Sequence, residues 1–278
     1  MKNYLTAQDL MPILDKVVLI DVRRGDKDQE SGQDAYLSNH VDGAYYLDLE
    51  ADLSGPVTPV SGAHPLPPLA DLREKLRLMG ARQDSQFVVY DEGYQFVAAR
   101  AWFVLKYFGI DSVKIIKGGY PALVAAGVPL SSGWPAQKEG NIQLTAQDQL
   151  VVDFATVKDL VDQGIDQSHV VLVDARAKDR YLGINEPLYQ VGGHIPGAQS
   201  YYYQDLMTET YDLKSKDQLT AILGDLMDKD LILSCGSGVT AALVMIALDE
   251  LGKTAKLYPG SYSEWIKRGQ RVERQDEA

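Results

Sequence analysis

The sequence predicts an α/β protein made of two copies of one domain, each a parallel sheet covered by helices on both faces. Three observations point there: motifs that recur in order in the two halves, short apolar runs that end in turn residues, and long Ala-rich segments that close on glycine. The first observation carries the duplication. VVLIDVR (17–23) returns as VVLVDAR (170–176), and HVDGA (40–44) returns as HIPGA (194–198). FVVYDEG (87–93) is echoed by LILSCGSG (231–238), and IIKGGYPALVAAG (115–127), more loosely, by KLYPGSYSEWIKRG (256–269). Order is kept while the spacing shortens, as loop deletion would produce. Self-similarity of this kind marks a repeated structural unit.

Each run of Val, Ile and Leu without polar alternation reads as a strand buried on both faces. YQFVAARAWFVLKYF (94–108) is rich in Ala and aromatics and is followed by Gly109, which predicts a helix with a glycine stop. GVTAALVMIALDEL (238–251), followed by Gly252, predicts its counterpart. Short strands alternating with such helices imply parallel sheets. The stretch SSGWPAQKEGNIQLTAQDQ (131–149) has turn and polar residues without sustained periodicity. The expected organisation is therefore a first domain over 1–130, a linker over 131–150 and a second domain over 151–278.

Composition narrows the function classes. Lys plus Arg number 27 against 39 for Asp plus Glu, a net charge of -12 over 278 residues. Such a field repels polyanions, so neither nucleic acid nor an anionic membrane is expected as a partner. A small anionic substrate stays open, because a local site can oppose the global charge. No apolar run approaches the roughly 18 residues of a membrane span, and MKNYLTAQDLMPILDKVVLIDV lacks the pattern of a secretory leader. The single cysteine, Cys235, cannot form an internal disulfide, so the fold needs no oxidising compartment and the cytoplasm is the expected location. No Cys/His cluster has metal-ligand spacing, so no metal or organic cofactor is expected.

The sharpest local feature is LILSCGSGVTAALVMIAL (231–248), an apolar strand that ends at Cys235, a Gly-rich turn, and a helix. In open α/β sheets ligands bind at the carboxyl ends of strands. Gly236 and Gly238 permit backbone angles that aim successive N–H groups, through Val239 and Thr240, at one point. A sulfur there, near a helix N-terminus, is favoured as thiolate, the species that attacks sulfur. A lone Cys is by itself most often a small buried hydrophobe; its place before this turn argues for chemistry. Three other loop chemistries fit worse. A cysteine phosphatase needs C-x5-R to grip phosphate, and that position is Ala241. A P-loop needs a Lys after the glycines. G-x-G-x-x-A also matches a dinucleotide fingerprint, but that motif opens its domain, and here only about 40 residues follow.

The order VVLVDAR, GHIPGA, a strand ending in CGSGVTA, and a Gly-Ser-Tyr-x-x-Trp segment resembles the tandem rhodanese-type sulfurtransferases over nearly the whole chain. The resemblance implies two tandem rhodanese-like domains, the second catalytic and the first, with Asp91 at the cysteine's place, silent. The loop CGSGVTA is similar to that of the 3-mercaptopyruvate sulfurtransferases; thiosulfate-specific members tend to carry basic residues after the Cys. The distinction has a physical basis. Thiosulfate is a dianion that leaves as sulfite and gains from adjacent cations, whereas mercaptopyruvate leaves as pyruvate enolate and needs a proton or a donor.

The resemblance further implies a relay of Ser237 with His64, in SGAHPLPP, and Glu50, in YYLDLEADLSG. It implies that Arg180, in DARAKDRYLG, binds the substrate carboxylate, for which a bidentate guanidinium is suited. The sequence departs from its relatives in one respect: many mercaptopyruvate enzymes carry a second Arg in a Pro-Glu-Pro-Arg segment, and here NEPLYQVGGH (185–194) has none. Asp174, Arg176 and His194, echoed by Asp21, Arg23 and His40, are expected to serve the fold. The expected donor is 3-mercaptopyruvate, with thiosulfate as alternative; a thiol, cyanide or a thioredoxin-like protein is the acceptor. A protein-to-protein sulfur relay is a further alternative.

Overall fold

The apolar runs of the sequence form parallel strands at the places the repeat marks. The structure is a computed structural model that describes residues 1–26, 30–165 and 169–274. It divides into two units. The first comprises 1–55, 66–147 and 210–212; the second comprises 56–65, 148–209 and 213–278. The strands of the first unit are Tyr4–Leu5 (β1), Val17–Asp21 (β2), Tyr45–Tyr46 (β3), Gln86–Tyr90 (β4) and Val113–Ile116 (β5). They form one sheet in the order β1-β5-β4-β2-β3, parallel at every pairing. Its helices include Gly32–Ser38 (α1), Leu69–Leu78 (α2), Phe96–Tyr107 (α3) and Gly119–Ala125 (α4).

The second unit repeats this plan. Val170–Asp174 (β6), Gln199–Ser200 (β7), Asp230–Ser234 (β8) and Lys256–Leu257 (β9) form a parallel sheet in the order β7-β6-β8-β9. A parallel bridge from Val151 to Leu257 stands where β1 pairs with β5 in the first unit. Registers match as well: Asp21 faces Tyr90 across β2 and β4, and Asp174 faces Ser234 across β6 and β8. The helices here include Phe154–Gln163 (α5), Lys178–Tyr181 (α6), Lys216–Leu223 (α7), Ala241–Glu250 (α8) and Ser261–Lys267 (α9). Two α/β units with duplicated topology are the architecture expected from the sequence.

The helix that follows the central strand is buried nearly all round in both units. In α3 every residue from Val97 to Leu105 is buried, and in α8 every residue from Ala241 to Leu248. A helix without a solvated polar face must be covered on all sides, and in α3 the one buried charge, Arg100, donates to Leu53 O at 3.0 Å. Each fully buried Leu or Val contributes about 1.5–3 kcal/mol. Both helices start later than the sequence pattern suggests, for one reason. Gln95 (φ +66) and Gly238 (φ +80) are left-handed, and a right-handed helix cannot pass through such residues. Gly109 and Gly252, at φ +84 and +82, end them as expected. Residues 131–147 group with the first unit. Lys138 N–H donates to Leu78 O at 2.8 Å and Asn141 N–H to Ala81 O at 3.0 Å.

The strand-end motifs build the same scaffold twice. Arg23 donates Nε to Asp21, pairs Nη2 with it at 2.8 Å, and stacks over the Tyr120 ring at 3.8 Å. Arg176 does the same with Asp174 at 2.7 Å and with Tyr262 at 3.9 Å. His40 stacks on Tyr36 at 4.0 Å and His194 on Tyr181 at 3.8 Å; each ring's Nδ1 lies 2.8 Å from its partner's carbonyl oxygen. Among the described residues no helix is long and apolar enough to cross a membrane.

Candidate active site

Cys235 is the first residue past β8, at the carboxyl end of the sheet, and is 1% exposed. Its loop is fixed from two sides. Its own N–H donates to Ser261 Oγ at 3.1 Å, and that hydroxyl donates to Tyr258 O at 2.9 Å. The carbonyls of Cys235 and Gly236 accept from the N–H groups of Tyr262 and Ser263 at 3.0 and 2.8 Å. The start of α9 thus clamps the backbone around the cysteine. Ser261 is itself left-handed, at φ +51, and fully buried. Such a conformation costs a non-glycine residue about 1–3 kcal/mol, and it tends to mark functional sites.

The sulfur receives a donor from the far side of the turn. Gly238 N–H donates to Cys235 Sγ at 3.1 Å. Gly238 must be glycine: its φ is +80, and a methyl there would meet Pro259 O at 2.5 Å. Gly238→Ala is therefore expected to cost about 2–4 kcal/mol and to move its N–H off the sulfur. Urea unfolding and steady-state assays of the variant check both effects; unchanged stability would show that the turn has another way to fold. Ser237 and Thr240 are half-buried, while Gly236 and Val239 are buried.

Arg180, on α6, reaches this loop. A methyl on Gly236 would lie 3.4 Å from Arg180 Nη2 and 3.2 Å from Tyr189 Oη. Both groups therefore converge on the residue after the cysteine. Arg180 is held by Glu186, donating Nε at 3.0 Å and Nη2 at 2.9 Å. The Glu186 carboxylate, only 3% exposed, also accepts from Arg176 Nη1 at 3.2 Å and from Leu188 N–H at 3.0 Å. The buried Asp174–Arg176 pair thus reaches Arg180 through one carboxylate. Tyr189 packs on Tyr262 with ring centroids 6.0 Å apart and interacts with Ser263. Burial first, then the neighbouring Cys235, pushes its hydroxyl pKa up, and Arg180 opposes.

His64 lies in the segment 56–65, which folds with the second unit although it comes from the first half of the chain. Ala63 N–H donates to Ser263 Oγ at 2.9 Å, Lys267 Nζ donates to Thr58 O at 3.1 Å, and Gly62 lies against the Gly260 backbone. The segment that carries His64 is thereby docked on the same turn that clamps Cys235. Glu50 belongs to the first unit, exposed in the loop after β3, where its N–H donates to Asp48 Oδ1 at 2.8 Å.

Asp91 follows β4 as Cys235 follows β8. Its carboxylate accepts from the N–H groups of Gly93 at 2.8 Å, Gln95 at 3.1 Å and Ala98 at 3.2 Å. Burial pushes this carboxyl's pKa up and the N–H groups oppose it. The cradle of the first unit is therefore filled by its own side chain.

Three residues here were not singled out from sequence: Glu186, Tyr189 and Ser261. Ser261 sits in the Gly-Ser-Tyr segment that carried the resemblance, and Glu186 and Tyr189 sit in NEPLYQVGGH, where the missing arginine drew notice.

Comparison with known proteins identifies the family. A family profile described as rhodanese-like domain matches residues 6–126 and 157–268. The chain is 40% identical over 271 residues to a probable 3-mercaptopyruvate sulfurtransferase of Pseudomonas aeruginosa, covering 94% of each. It is 36% identical over 267 residues to the putative thiosulfate sulfurtransferase SseB of Mycobacterium tuberculosis, covering 94% of this chain and 93% of the relative. The crystal structure of SseA from Escherichia coli, a 3-mercaptopyruvate sulfurtransferase, superposes with a TM-score of 0.81 at 33% identity, over 95% of this chain and 100% of that one.

Proposed function

The chain belongs to the rhodanese family, with the domain present twice, and from that premise we propose that it moves sulfur from 3-mercaptopyruvate through a Cys235 persulfide to a thiol or cyanide, releasing pyruvate. The observation that carries this reading is the meeting of Cys235 Sγ, the Gly238 N–H and the Arg180 guanidinium at one strand end.

The thiolate of Cys235 attacks the donor sulfur. An S–S bond forms, the C–S bond breaks, and its electron pair passes to the pyruvate enolate, whose carbon then takes a proton. The sulfur stays on Cys235 as a persulfide, with the Gly238 N–H aimed at Sγ. Fixed donors of this kind stabilise developing charge without reorganising. A thiolate or cyanide next attacks the outer sulfur, and the S–S bond breaks back to the Cys235 thiolate. Arg180, held by Glu186, orients the donor carboxylate. Ser237, with His64, handles the proton that the enolate requires. A thioredoxin-like protein is a suitable thiol acceptor.

Residues 236–240 are Gly, Ser, Gly, Val and Thr, so no cation flanks the nucleophile in sequence. This favours a donor that leaves as an enolate over one that leaves as sulfite. Thiosulfate is the second reading, supported by the name of the M. tuberculosis relative. Supplying each donor with cyanide and measuring thiocyanate tests the choice. The expected result is a kcat/KM for mercaptopyruvate at least tenfold above that for thiosulfate, about 1.4 kcal/mol of transition-state preference. A thiosulfate rate above the mercaptopyruvate rate would reverse the donor assignment. Inactivity with both, alongside sulfur uptake from a persulfidated protein, would point to a protein relay.

A further inference from the structure

We propose that Tyr189 is a substrate-anchoring residue, whose hydroxyl takes the place of a second arginine at the donor's carboxylate and keto oxygens. The proposal rests on the mercaptopyruvate reading above and adds one residue to it. Its basis is geometric. Tyr189 Oη and Arg180 Nη2 stand 3.2 and 3.4 Å from the place a Cβ would occupy on Gly236, the residue after Cys235. A donor whose sulfur meets Cys235 has its carboxylate a few bonds away, within reach of both groups.

Arg180 commits Nε and Nη2 to Glu186, which Arg176 holds in turn, so its guanidinium is oriented by the protein before any donor arrives. No Lys or Arg occurs anywhere from 181 to 213, the stretch that leads away from Arg180. A neutral O–H donor fits where the segment that follows Arg180 brings no second cation. It contacts a carboxylate at a smaller desolvation cost than a buried charge.

Tyr189 is placed to act in this way. Its ring packs on Tyr262, a residue of the α9 clamp, and lies 5.7 Å from the Arg180 guanidinium. Its hydroxyl interacts with Ser263, which also receives the Ala63 N–H. The ring is thus fixed by the elements that fix Cys235. Burial raises the phenol pKa, so the group stays a protonated donor at neutral pH. The inference concerns donor choice: one cation and one neutral donor suit a monocarboxylate with a carbonyl better than they suit a dianion.

The test compares the wild-type protein with Tyr189→Phe, which keeps the ring and its packing. For mercaptopyruvate the expected result is a KM raised roughly tenfold to hundredfold, the scale of one hydrogen bond to a charged group, with a much smaller change in kcat. The inhibition constant of pyruvate should rise by a similar factor. Alkylation of Cys235 by iodoacetamide, which carries no carboxylate, should keep its wild-type rate. A variant with unchanged KM, beside an active wild type, would overturn the role of Tyr189 and leave the donor reading intact. A wild type inert with mercaptopyruvate would overturn the donor reading and this contact together. An equal loss in the iodoacetamide reaction would show that Tyr189 merely supports the loop, and would also overturn the proposal.

Discussion

Cys235→Ser is expected to abolish sulfur transfer from either donor, lowering kcat by about ten-thousandfold or more, the scale on which enzymes lose rate without their nucleophile. The fold should survive. The site is 1% exposed and serine is nearly isosteric, so Ser261 Oγ still accepts the residue's N–H and Gly238 still has an acceptor in front of it. What is lost is chemical. A serine hydroxyl is scarcely ionised at neutral pH, and an oxygen cannot store sulfane sulfur as a persulfide does. Thiocyanate assays with both donors, beside an unfolding curve matching the wild type, check this. Retained transfer would mean that sulfur moves without Cys235, and the account of the loop would fail.

The largest effect on stability is expected from Arg176→Met. The guanidinium pairs with Asp174 at 2.7 Å, donates to Gly193 O at 2.7 Å and reaches Glu186 at 3.2 Å, with all three side chains in those pairs at most 3% exposed. Methionine fills most of the space and answers none of these acceptors. Two carboxylates are then left buried with a cation removed, a change that costs about 3–5 kcal/mol. A fall in Tm of roughly 10 °C follows for a chain of this size. The corresponding change in the first unit, Arg23→Met, removes the pair with Asp21 and the hydrogen bond to Asn39 O at 2.6 Å, and is expected to be destabilising with little effect on mercaptopyruvate KM. Arg176→Met should raise that KM as well, because Glu186, which sets the angle of Arg180, loses one of its two arginine partners. Urea unfolding and steady-state kinetics on both variants separate the two effects. Equal KM values would show that Arg180 is oriented without Arg176.

Much of the fold was legible in the sequence because duplication repeats its landmarks. VVLIDVR and VVLVDAR became β2 and β6, each ending in the same Asp–Arg pair, and the apolar helices α3 and α8 closed on Gly109 and Gly252. Where each helix begins was not legible, since left-handed Gln95 and Gly238 leave little trace in an apolar pattern. The site was legible in part. Cys235 and its loop stood out because strand, glycine turn and helix are contiguous in the chain. The company of Arg180 did not: Glu186 lies only six residues on, but nothing in periodicity says that the two fold into an ion pair. Docking of segment 56–65 beside Ser263 joins residues about 200 apart, which no local pattern records. Ser261 shows the same limit, because its hydroxyl matters through a φ of +51 that only the folded backbone reveals.

If Cys235 takes sulfur from 3-mercaptopyruvate and holds it, the sulfur must be found on that residue after a single turnover. Mixing the protein with one equivalent of that donor in the absence of acceptor, then analysing peptides by mass spectrometry, tests it most directly. The peptide containing Cys235 is expected to gain one sulfur atom while one pyruvate appears per chain, and cyanide is expected to remove the sulfur as thiocyanate. Pyruvate released with no sulfur on Cys235, or sulfur gained with no pyruvate released, would contradict it.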